Sequence, residues 1–243
     1  MTVLSNANAL NIFTDASLIN TEYGYITCSG AIAVSDITTP SPTVLDRKFM
    51  INAHSTNNHG ELLAILYGVE LAMKNKYLFS QINLFSDSRI SVFGLRDWCS
   101  KWFNNTVSDP YGVIVSSSGA PVSNQDIIKC IIRTIVFSDL KINLYHQSGH
   151  IDPTNPREVN ECIRVFNSNN FYDYDNNHID LDYREAALIS LFNNMVDSIS
   201  RSYLDSIDRS KQYNKRISPI QYGMTLDLFN NYKSLINLKG GSK

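Results

Sequence analysis

The sequence predicts an α/β protein built on a five-stranded mixed sheet with helices on both faces. Short β-rich segments alternate with segments of helical periodicity in the order β-β-β-α-β-α-α-β. With 243 residues, 43% of them hydrophobic, the chain is also long enough to bury a core without disulfides or a structural metal. Both observations favour a globular domain over a disordered chain.

Three β-rich segments come first and predict an antiparallel meander. They are residues 11–17 (NIFTDAS), residues 25–34 (YITCSGAIAV) and the shorter segment 48–53. A strong helical pattern follows over residues 58–75, where leucine, isoleucine and valine recur at helical spacing.

The next segments complete the predicted core. Residues 82–86 (INLFS) are typical of a buried strand, and residues 89–103 have helical spacing. Residues 124–137 predict a further helix, and residues 142–145 a fifth strand. A long last core helix is predicted over residues 185–207.

Residues 151–182 interrupt this pattern. They contain a polar run and an acidic stretch with few apolar residues, which predicts an inserted loop that is partly mobile. We therefore expect residues 1–207 to form one domain that carries this insertion. Residues 208–243 are expected to form a basic connector at 209–216 (RSKQYNKR) and a C-terminal helix.

Composition excludes several classes of protein. No run approaches 18 apolar residues, so no membrane span is expected. The first ten residues do not have the pattern of a secretory signal, and the four cysteines form no C-x-x-C, so we expect a cytoplasmic protein without a zinc site. The net charge of −2 does not by itself indicate nucleic-acid binding.

Four carboxylates stand at positions that can converge on one edge of the sheet. Asp15 ends the first predicted strand, Glu61 opens the first helix, Asp87 follows the fourth strand, and Asp197 lies within the last core helix. Carboxylates this close repel one another unless a divalent cation neutralises them. Oxygen ligands without a Cys or His cluster favour Mg²⁺ or Mn²⁺, and a pair of such ions is a known device for attack on a phosphodiester.

Each of these residues also has an ordinary structural interpretation. An Asp after a strand is commonly a turn or cap residue, and Glu61 in the first turn of a helix favours the helix dipole. Asp197 fits a structural role least well, because it lies between the apolar Val196 and Ile199 in mid-helix.

The sequence resembles the ribonuclease H type 1 family, which includes the ribonuclease H domains of reverse transcriptases. Seven segments match in the family's order: IFTDAS at 12–17, STNNHGELLAI at 55–65, INLFSDS at 82–88, DWCSKW at 97–102, PVSNQDI at 121–127, HQSGH at 146–150 and NNMVD at 193–197. This resemblance spans residues 10–207 and implies a ribonuclease H-like catalytic domain over residues 1–207.

The resemblance implies an endoribonuclease that cleaves the RNA strand of RNA–DNA hybrids with two Mg²⁺ ions, leaving 3′-OH and 5′-phosphate ends. Asp15 would bridge both ions, Asp197 would complete the ion that activates water, and Glu61 and Asp87 would hold the ion at the leaving oxygen. Mn²⁺ is expected to substitute for Mg²⁺. His150 matches a mobile histidine that assists proton transfer or product release.

The resemblance also implies residues that contact the substrate. They are Thr56, Asn57, Asn58, Arg89, Trp98, Trp102 and Asn193. An Asn amide both donates and accepts, which suits a ribose 2′-OH, whereas capping of the first helix is an equally good explanation of the Asn pair. The two tryptophans match a helix that lines the channel for the DNA strand, and packing is their structural alternative.

The sequence departs from the family in its basic residues. Residues 104–120, which match a lysine-rich protrusion of bacterial members, contain no Lys or Arg. Binding of the hybrid is therefore expected either to be weaker or to be supplied by Arg89, Arg96, Lys101 and the connector 209–216.

A second departure is the insertion between His150 and Asp197. It leaves Glu158 or Glu161 as an alternative fourth ligand. Asp197 is favoured because Asn193 precedes it by four positions, as in the family.

Two other functions remain as alternatives at this point. One is a related nuclease that acts on structured DNA or double-stranded RNA, and the other is a non-catalytic nucleic-acid-binding module. An RNA–DNA hybrid is the expected partner, with no membrane, and residues 208–243 are a candidate segment for a protein partner.

Overall fold

The computed structural model describes residues 8–22, 24–35, 42–105, 113–207, 231–232 and 234–236. Its main sheet has five strands: β1 (Ala9–Thr21), β2 (Gly24–Ser35), β3 (Thr43–Ala53), β4 (Gln81–Ser86) and β5 (Asn143–His146). Their spatial order is β3-β2-β1-β4-β5. The first three strands pair antiparallel, whereas β4 is parallel to both β1 and β5. The predicted five-stranded mixed sheet is confirmed.

Six α-helices and a small hairpin complete the described elements. The helices are α1 (Asn57–Asn75), α2 (Arg89–Phe93), α3 (Cys99–Asn105), α4 (Gln125–Phe137), α5 (Pro156–Ser168) and α6 (Tyr183–Asp205). A π-helical turn, Gly94–Trp98, joins α2 to α3, and the hairpin consists of β6 (Phe171–Tyr172) and β7 (His178–Ile179). No helix in this described part of the chain is long and apolar enough to cross a membrane.

The sheet has a hydrophobic core on each face, because successive strand residues point to opposite sides. Ile12 of β1 packs in a core that includes α1 and α4. Its neighbour Phe13 packs in a core that includes α5 and α6, where its ring stacks on Phe85 and Phe192 at centroid distances of 5.2 and 5.1 Å. Helices therefore cover both faces, as the sequence predicts.

Helix α1 lies very close to the sheet, and this closeness places its first turn beside β1. The Thr56 side chain caps the helix by accepting a hydrogen bond from the His59 backbone N–H at 3.3 Å. At Gly68, an added Cβ would lie 2.8 Å from Cγ2 of Thr14, so a larger residue would push helix and strand apart. Gly60 at the start of the helix is similarly close to β1, and this brings the adjacent Glu61 next to the end of β4.

Several elements differ in extent from the prediction, among them β1, which covers Ala9–Thr21 instead of residues 11–17. Strand β3 begins at Thr43 instead of residue 48, because Val44 and Asp46 also pair with β2 across a bulge. The helix predicted over 89–103 is divided into α2, the π-helical turn and α3. The turn begins at Gly94, where an added Cβ would meet the Trp102 ring at 3.1 Å.

The prediction of a loop over residues 151–182 is wrong. This segment contains α5 and the β6–β7 hairpin, and its buried residues cover the face of the sheet near β5. Phe171 packs against Tyr145 and Phe166 at centroid distances of 5.4 and 4.8 Å. Val159, Cys162 and Phe166 have helical spacing, but polar residues surround them in the sequence and hide the pattern.

Three residues of the C-terminal extension, Tyr232, Leu235 and Ile236, pack into the core on the α1 and α4 side. Tyr232 is 1% exposed, and its hydroxyl donates to the Leu95 carbonyl at 2.7 Å. The Ile142 N–H donates to the Leu235 carbonyl at 3.0 Å beside the start of β5. This part of the C-terminal extension is therefore integral to the domain, whereas the basic connector at 209–216 lies outside the described residues.

Candidate active site

Asp15, Glu61 and Asp87 meet where β4 ends beside β1. Strand β1 continues to Thr21, but β4 stops at Ser86, which pairs with Thr14 of β1. Asp15 and Asp87 are the next residues of the two strands, so both lie where the pairing of β1 with β4 ends. One carboxylate oxygen from each of the three residues lies within 4.8 Å of the other two. Asp15 and Glu61 are only 4% and 5% exposed. The three acidic groups therefore lie close together, and two of them are almost inaccessible to solvent.

Burial and mutual repulsion disfavour the charged forms of these carboxyl groups. Burial, with the charges of Asp87 and Asp197 as further causes, raises the pKa of Asp15 to about 8. Burial also raises the pKa of Glu61 well above its ordinary value, and it raises the pKa of Asp87. A positive charge at this position would relieve the repulsion.

The donor atoms fit a hard divalent cation. Oδ2 of Asp15 and Oε2 of Glu61 are buried and accept no hydrogen bond from any described residue. The three-residue cluster offers only carboxylate oxygens, which suit Mg²⁺ or Mn²⁺ better than zinc.

Asp197 of α6 lines the same cleft, which has a volume of about 580 Å³, but its carboxylate already has partners. Arg201 donates from Nε to both carboxylate oxygens at 2.9 Å. The Ser17 hydroxyl donates to Oδ1 at 3.0 Å, and Nδ1 of His150 lies 3.7 Å from Oδ2. Asp197 is therefore next to the three-carboxylate cluster but is held by other groups.

The two glutamates that the sequence left as alternatives point elsewhere. Glu158 accepts hydrogen bonds from the Asp152 N–H and the Asn155 amide, both at 2.8 Å, near the start of α5. Glu161 is exposed and pairs with Arg164. Neither lines the cleft, so the structure places Asp197 beside the cluster in preference to them.

The loop that carries His150 touches Asp87. His150 has a positive φ of 53°, its side chain is 68% exposed, and it lines the cleft. The preceding Gly149 lies against Asp87, because an added Cβ would be 2.1 Å from its Oδ2.

Asn193 is not placed to contact the substrate, contrary to the expectation from sequence. It is 1% exposed, and its Nδ2 donates to Oδ2 of Asp87 at 3.4 Å. Its position on α6 instead allows it to orient the Asp87 carboxylate from within the protein.

The other residues expected at the substrate lie around the cleft. Asn57 lines it, whereas Asn58 and Trp102 line a neighbouring pocket of about 290 Å³. Trp98 is 37% exposed and packs edge-on against Trp102 at a centroid distance of 6.0 Å. Arg89 is exposed, with its guanidinium 5.7 Å from the centre of the Phe93 ring.

Arg96 was expected to contact nucleic acid, and this expectation is wrong. The residue is 1% exposed, and its guanidinium lies 4.5 Å from the centre of the Phe171 ring. An arginine in this position packs under the inserted hairpin and is not available to a ligand.

Sequence analysis did not single out two residues of the cleft, Ser17 and Arg201. A local signal exists for both. Ser17 is two positions after Asp15 in a strand and so shares its face, and Arg201 follows Asp197 at the i+4 spacing of a helix.

Comparison with known proteins agrees with this fold. A sequence model of the RNase H family matches residues 7–162. The crystal structure of the native prototype foamy virus protease-reverse transcriptase has a TM-score of 0.56 and 15% identity, covering 86% of this chain and 22% of that one. No curated protein sequence matches this chain.

Two smaller structures are also similar. The solution structure of the RNase H domain of prototype foamy virus has a TM-score of 0.49 and 17% identity, with coverage of 65% and 90% of the two chains. LC9-RNase H1, described as a type 1 RNase H with the type 2 active-site motif, has a TM-score of 0.44 and 14% identity, with coverage of 79% and 85%. This chain spans only about a fifth of the foamy virus protease-reverse transcriptase. Since the family model matches more than half of its residues, the chain belongs to the RNase H family, a family of ribonucleases.

Proposed function

We propose that this protein is a metal-dependent endoribonuclease that hydrolyses the RNA strand of RNA–DNA hybrids and leaves 3′-OH and 5′-phosphate ends. One observation supports the proposal most strongly. Asp15, Glu61 and Asp87 form a buried carboxylate cluster at the base of an open cleft, in a chain of the RNase H family. Buried carboxylate oxygens that accept no hydrogen bond from a described residue, here Oδ2 of Asp15 and Oε2 of Glu61, are costly, and binding of cations would offset this cost.

We propose that Asp15, Glu61, Asp87 and Asp197 hold two Mg²⁺ ions, for which Mn²⁺ substitutes. When bound, such ions supply an activated water at neutral pH and stabilise the charge on the leaving oxygen. Asp15 would be the central ligand, because it lies in the cluster with Glu61 and Asp87 while its near neighbour Ser17 donates to Asp197.

The surrounding residues orient the ligands and control access. Asn193 donates to Asp87 from the buried side, and Gly149 leaves room for the loop to rest on the same carboxylate. His150 is exposed at the cleft beside Asp197, so its imidazole is placed to exchange protons with solvent and to release product.

Selectivity for a hybrid requires contact with a ribose. Asn57 lines the cleft, and its amide is able both to donate to and to accept from a 2′-OH. We assign Asn58, Trp98, Trp102 and Arg89 to the other strand. Asn58 and Trp102 line the neighbouring pocket, Trp98 packs against Trp102, and Arg89 is exposed at the start of α2. Thr56 supports this surface by capping α1.

A cleavage assay with three labelled duplexes tests the proposal. We expect the RNA strand of a hybrid to be cut in Mg²⁺, whereas duplex DNA and duplex RNA stay intact and EDTA stops the reaction. Asp87→Asn serves as the inactive control prepared in the same way. Cleavage of duplex RNA or of structured DNA in preference to the hybrid would contradict the proposed substrate. Absence of cleavage together with binding to the hybrid would indicate a binding module.

A further inference from the structure

Arg201 is the only Lys or Arg among the described residues that line the cleft. The other charged groups there are carboxylates, namely Asp15, Glu61, Asp87, Asp197 and Asp205, apart from the titratable His150. A cleft of this composition repels a polyanion, and a nucleic-acid strand that enters it needs a cation to meet its phosphates. Arg201 is placed to supply this cation.

In the structure, however, Arg201 is already engaged. Its Nε donates to both oxygens of Asp197 at 2.9 Å, while Ser17 and His150 approach the same carboxylate. Asp197 therefore has no oxygen free of neighbours, in contrast to Asp15 and Glu61, each of which has a buried oxygen with no partner among the described residues. A cation that binds Asp197 therefore competes with these groups, above all with the positive charge of Arg201.

The Arg201–Asp197 pair is suited to such an exchange. The Arg201 side chain is 61% exposed and that of Asp197 is 16% exposed, so solvent reaches the pair from the guanidinium side, and the pair spans one helical turn of α6. Exposed pairs at i,i+4 spacing contribute little to stability and are screened by salt, so a divalent cation competes well against the guanidinium. Once released, the guanidinium remains tethered beside the site and offers the fork geometry that matches a phosphate.

We propose that Arg201 is a positioning residue with two exchangeable partners. It holds the Asp197 carboxylate in the metal-free protein, and it contacts a phosphate of the bound strand after a divalent cation has taken that carboxylate. The inference rests on the proposed function. Binding of a cation by Asp197 then frees Arg201 to bind the nucleic acid. The cluster of Asp15, Glu61 and Asp87, by contrast, can bind a cation without any rearrangement.

Two measurements on the full chain test this proposal. The first is titration with Mn²⁺ in the absence of nucleic acid, followed by calorimetry. We expect one strong site, unchanged in Arg201→Gln, and a second, weaker site that this variant strengthens by roughly two- to fivefold, as for release of one exposed ion pair. The second is the salt dependence of hybrid binding in Ca²⁺, with intact RNA verified afterwards. The slope of log Kobs against log[salt] should decrease by about 0.9 in Arg201→Gln, the equivalent of one phosphate contact.

Two further variants make the test specific. Arg201→Lys keeps the positive charge and the ability to pair with Asp197, so we expect the salt slope to stay and the second Mn²⁺ site to tighten less than in Arg201→Gln. Arg164→Gln is the matched control, because Arg164 forms an exposed i,i+3 pair with Glu161 outside the cleft and should change neither quantity.

The outcomes separate this inference from the proposed function. If Arg201→Gln leaves the Mn²⁺ titration and the salt slope at their wild-type values, or alters only one of them, the exchange is wrong while the metal site stands. A wild-type chain that binds no Mn²⁺ at all overturns the metal site, and the proposed function with it.

Discussion

Gly149 and Asp87 are in such close contact that a methyl group on Gly149 would lie 2.1 Å from Oδ2 of the carboxylate. The same oxygen accepts the hydrogen bond from Asn193 at 3.4 Å. Asp87 is therefore held between the loop before His150 and helix α6, and its orientation depends on the absence of a side chain at position 149.

Gly149→Ala is expected to lower cleavage at least about tenfold, because Asp87 has to rotate away from the cluster and small displacements of reacting groups are costly. The variant should also lower the melting temperature. A double-mutant cycle checks the cause, since Asp87→Ala removes the atoms that clash. If Gly149→Ala lowers the melting temperature of Asp87→Ala as much as that of the wild type, the contact between residues 149 and 87 is not the cause of the destabilisation.

Asp87→Asn is expected to reduce the cleavage rate at least about 1,000-fold, or about 4 kcal/mol of barrier, while the fold is kept. The metal-free variant should be as stable as the wild type or more stable, because one charge of the repelling cluster is gone. Single-turnover cleavage and thermal melts in EDTA measure these effects. Near wild-type cleavage in Mg²⁺ would falsify the assignment of this carboxylate to the metal site.

The stability of the metal-free protein should fall as the pH rises. The pKa of Asp15 is raised to about 8 by burial and by neighbouring carboxylates, whereas an unfolded Asp titrates near its ordinary value. A raised pKa of this kind means that the folded state retains a proton that the unfolded state loses. Its stabilising contribution is thus complete below about pH 4 and is lost as the pH approaches 8.

Melts in EDTA between pH 5 and pH 8 measure this trend. Mg²⁺ should raise the melting temperature more at pH 8 than at pH 5, because protons compete with the cation for the same oxygens. Asp15→Asn should flatten the decline. A melting temperature in EDTA that rises over this range would show that other groups dominate.

Asp197→Asn should be nearly inactive, whereas Glu158→Gln and Glu161→Gln should keep most of the activity. Asp197 lines the cleft on a long helix, and the two glutamates are bound to neighbours on α5 outside it. Cleavage rates at saturating Mg²⁺ compare the three variants. The reverse pattern would move the fourth ligand into the insertion.

Tyr232→Ala should lower the free energy of unfolding by about 3–5 kcal/mol, the usual cost of removing a buried aromatic side chain. Tyr232→Phe should cost about 1 kcal/mol, because the Leu95 carbonyl loses its hydroxyl donor. Urea unfolding measures both values. Tyr77→Ala, at a position 87% exposed, is the control and should change the free energy by less than about 0.5 kcal/mol. Equal effects at the two positions would show that the C-terminal segment does not stabilise the core.

Hydrophobic periodicity in the sequence was sufficient to predict the order of the core elements and the mixed sheet. This information is local, because a strand or helix with a buried face shows its period within a few residues. The inserted helix α5 escaped the same approach. Its three buried residues are Val159, Cys162 and Phe166, and only contact with Tyr145 and Phe171 makes them a core.

The sequence by itself therefore determined the element order, the family resemblance and four carboxylates worth considering as ligands. Tertiary structure alone decided which groups distant in sequence touch: it buried Arg96 under Phe171, turned Asn193 toward Asp87, and placed Ser17 against Asp197. The physical reason is that the charge, exposure and partners of a side chain depend on neighbours distant in sequence. Residue type and spacing do not reveal these distant neighbours.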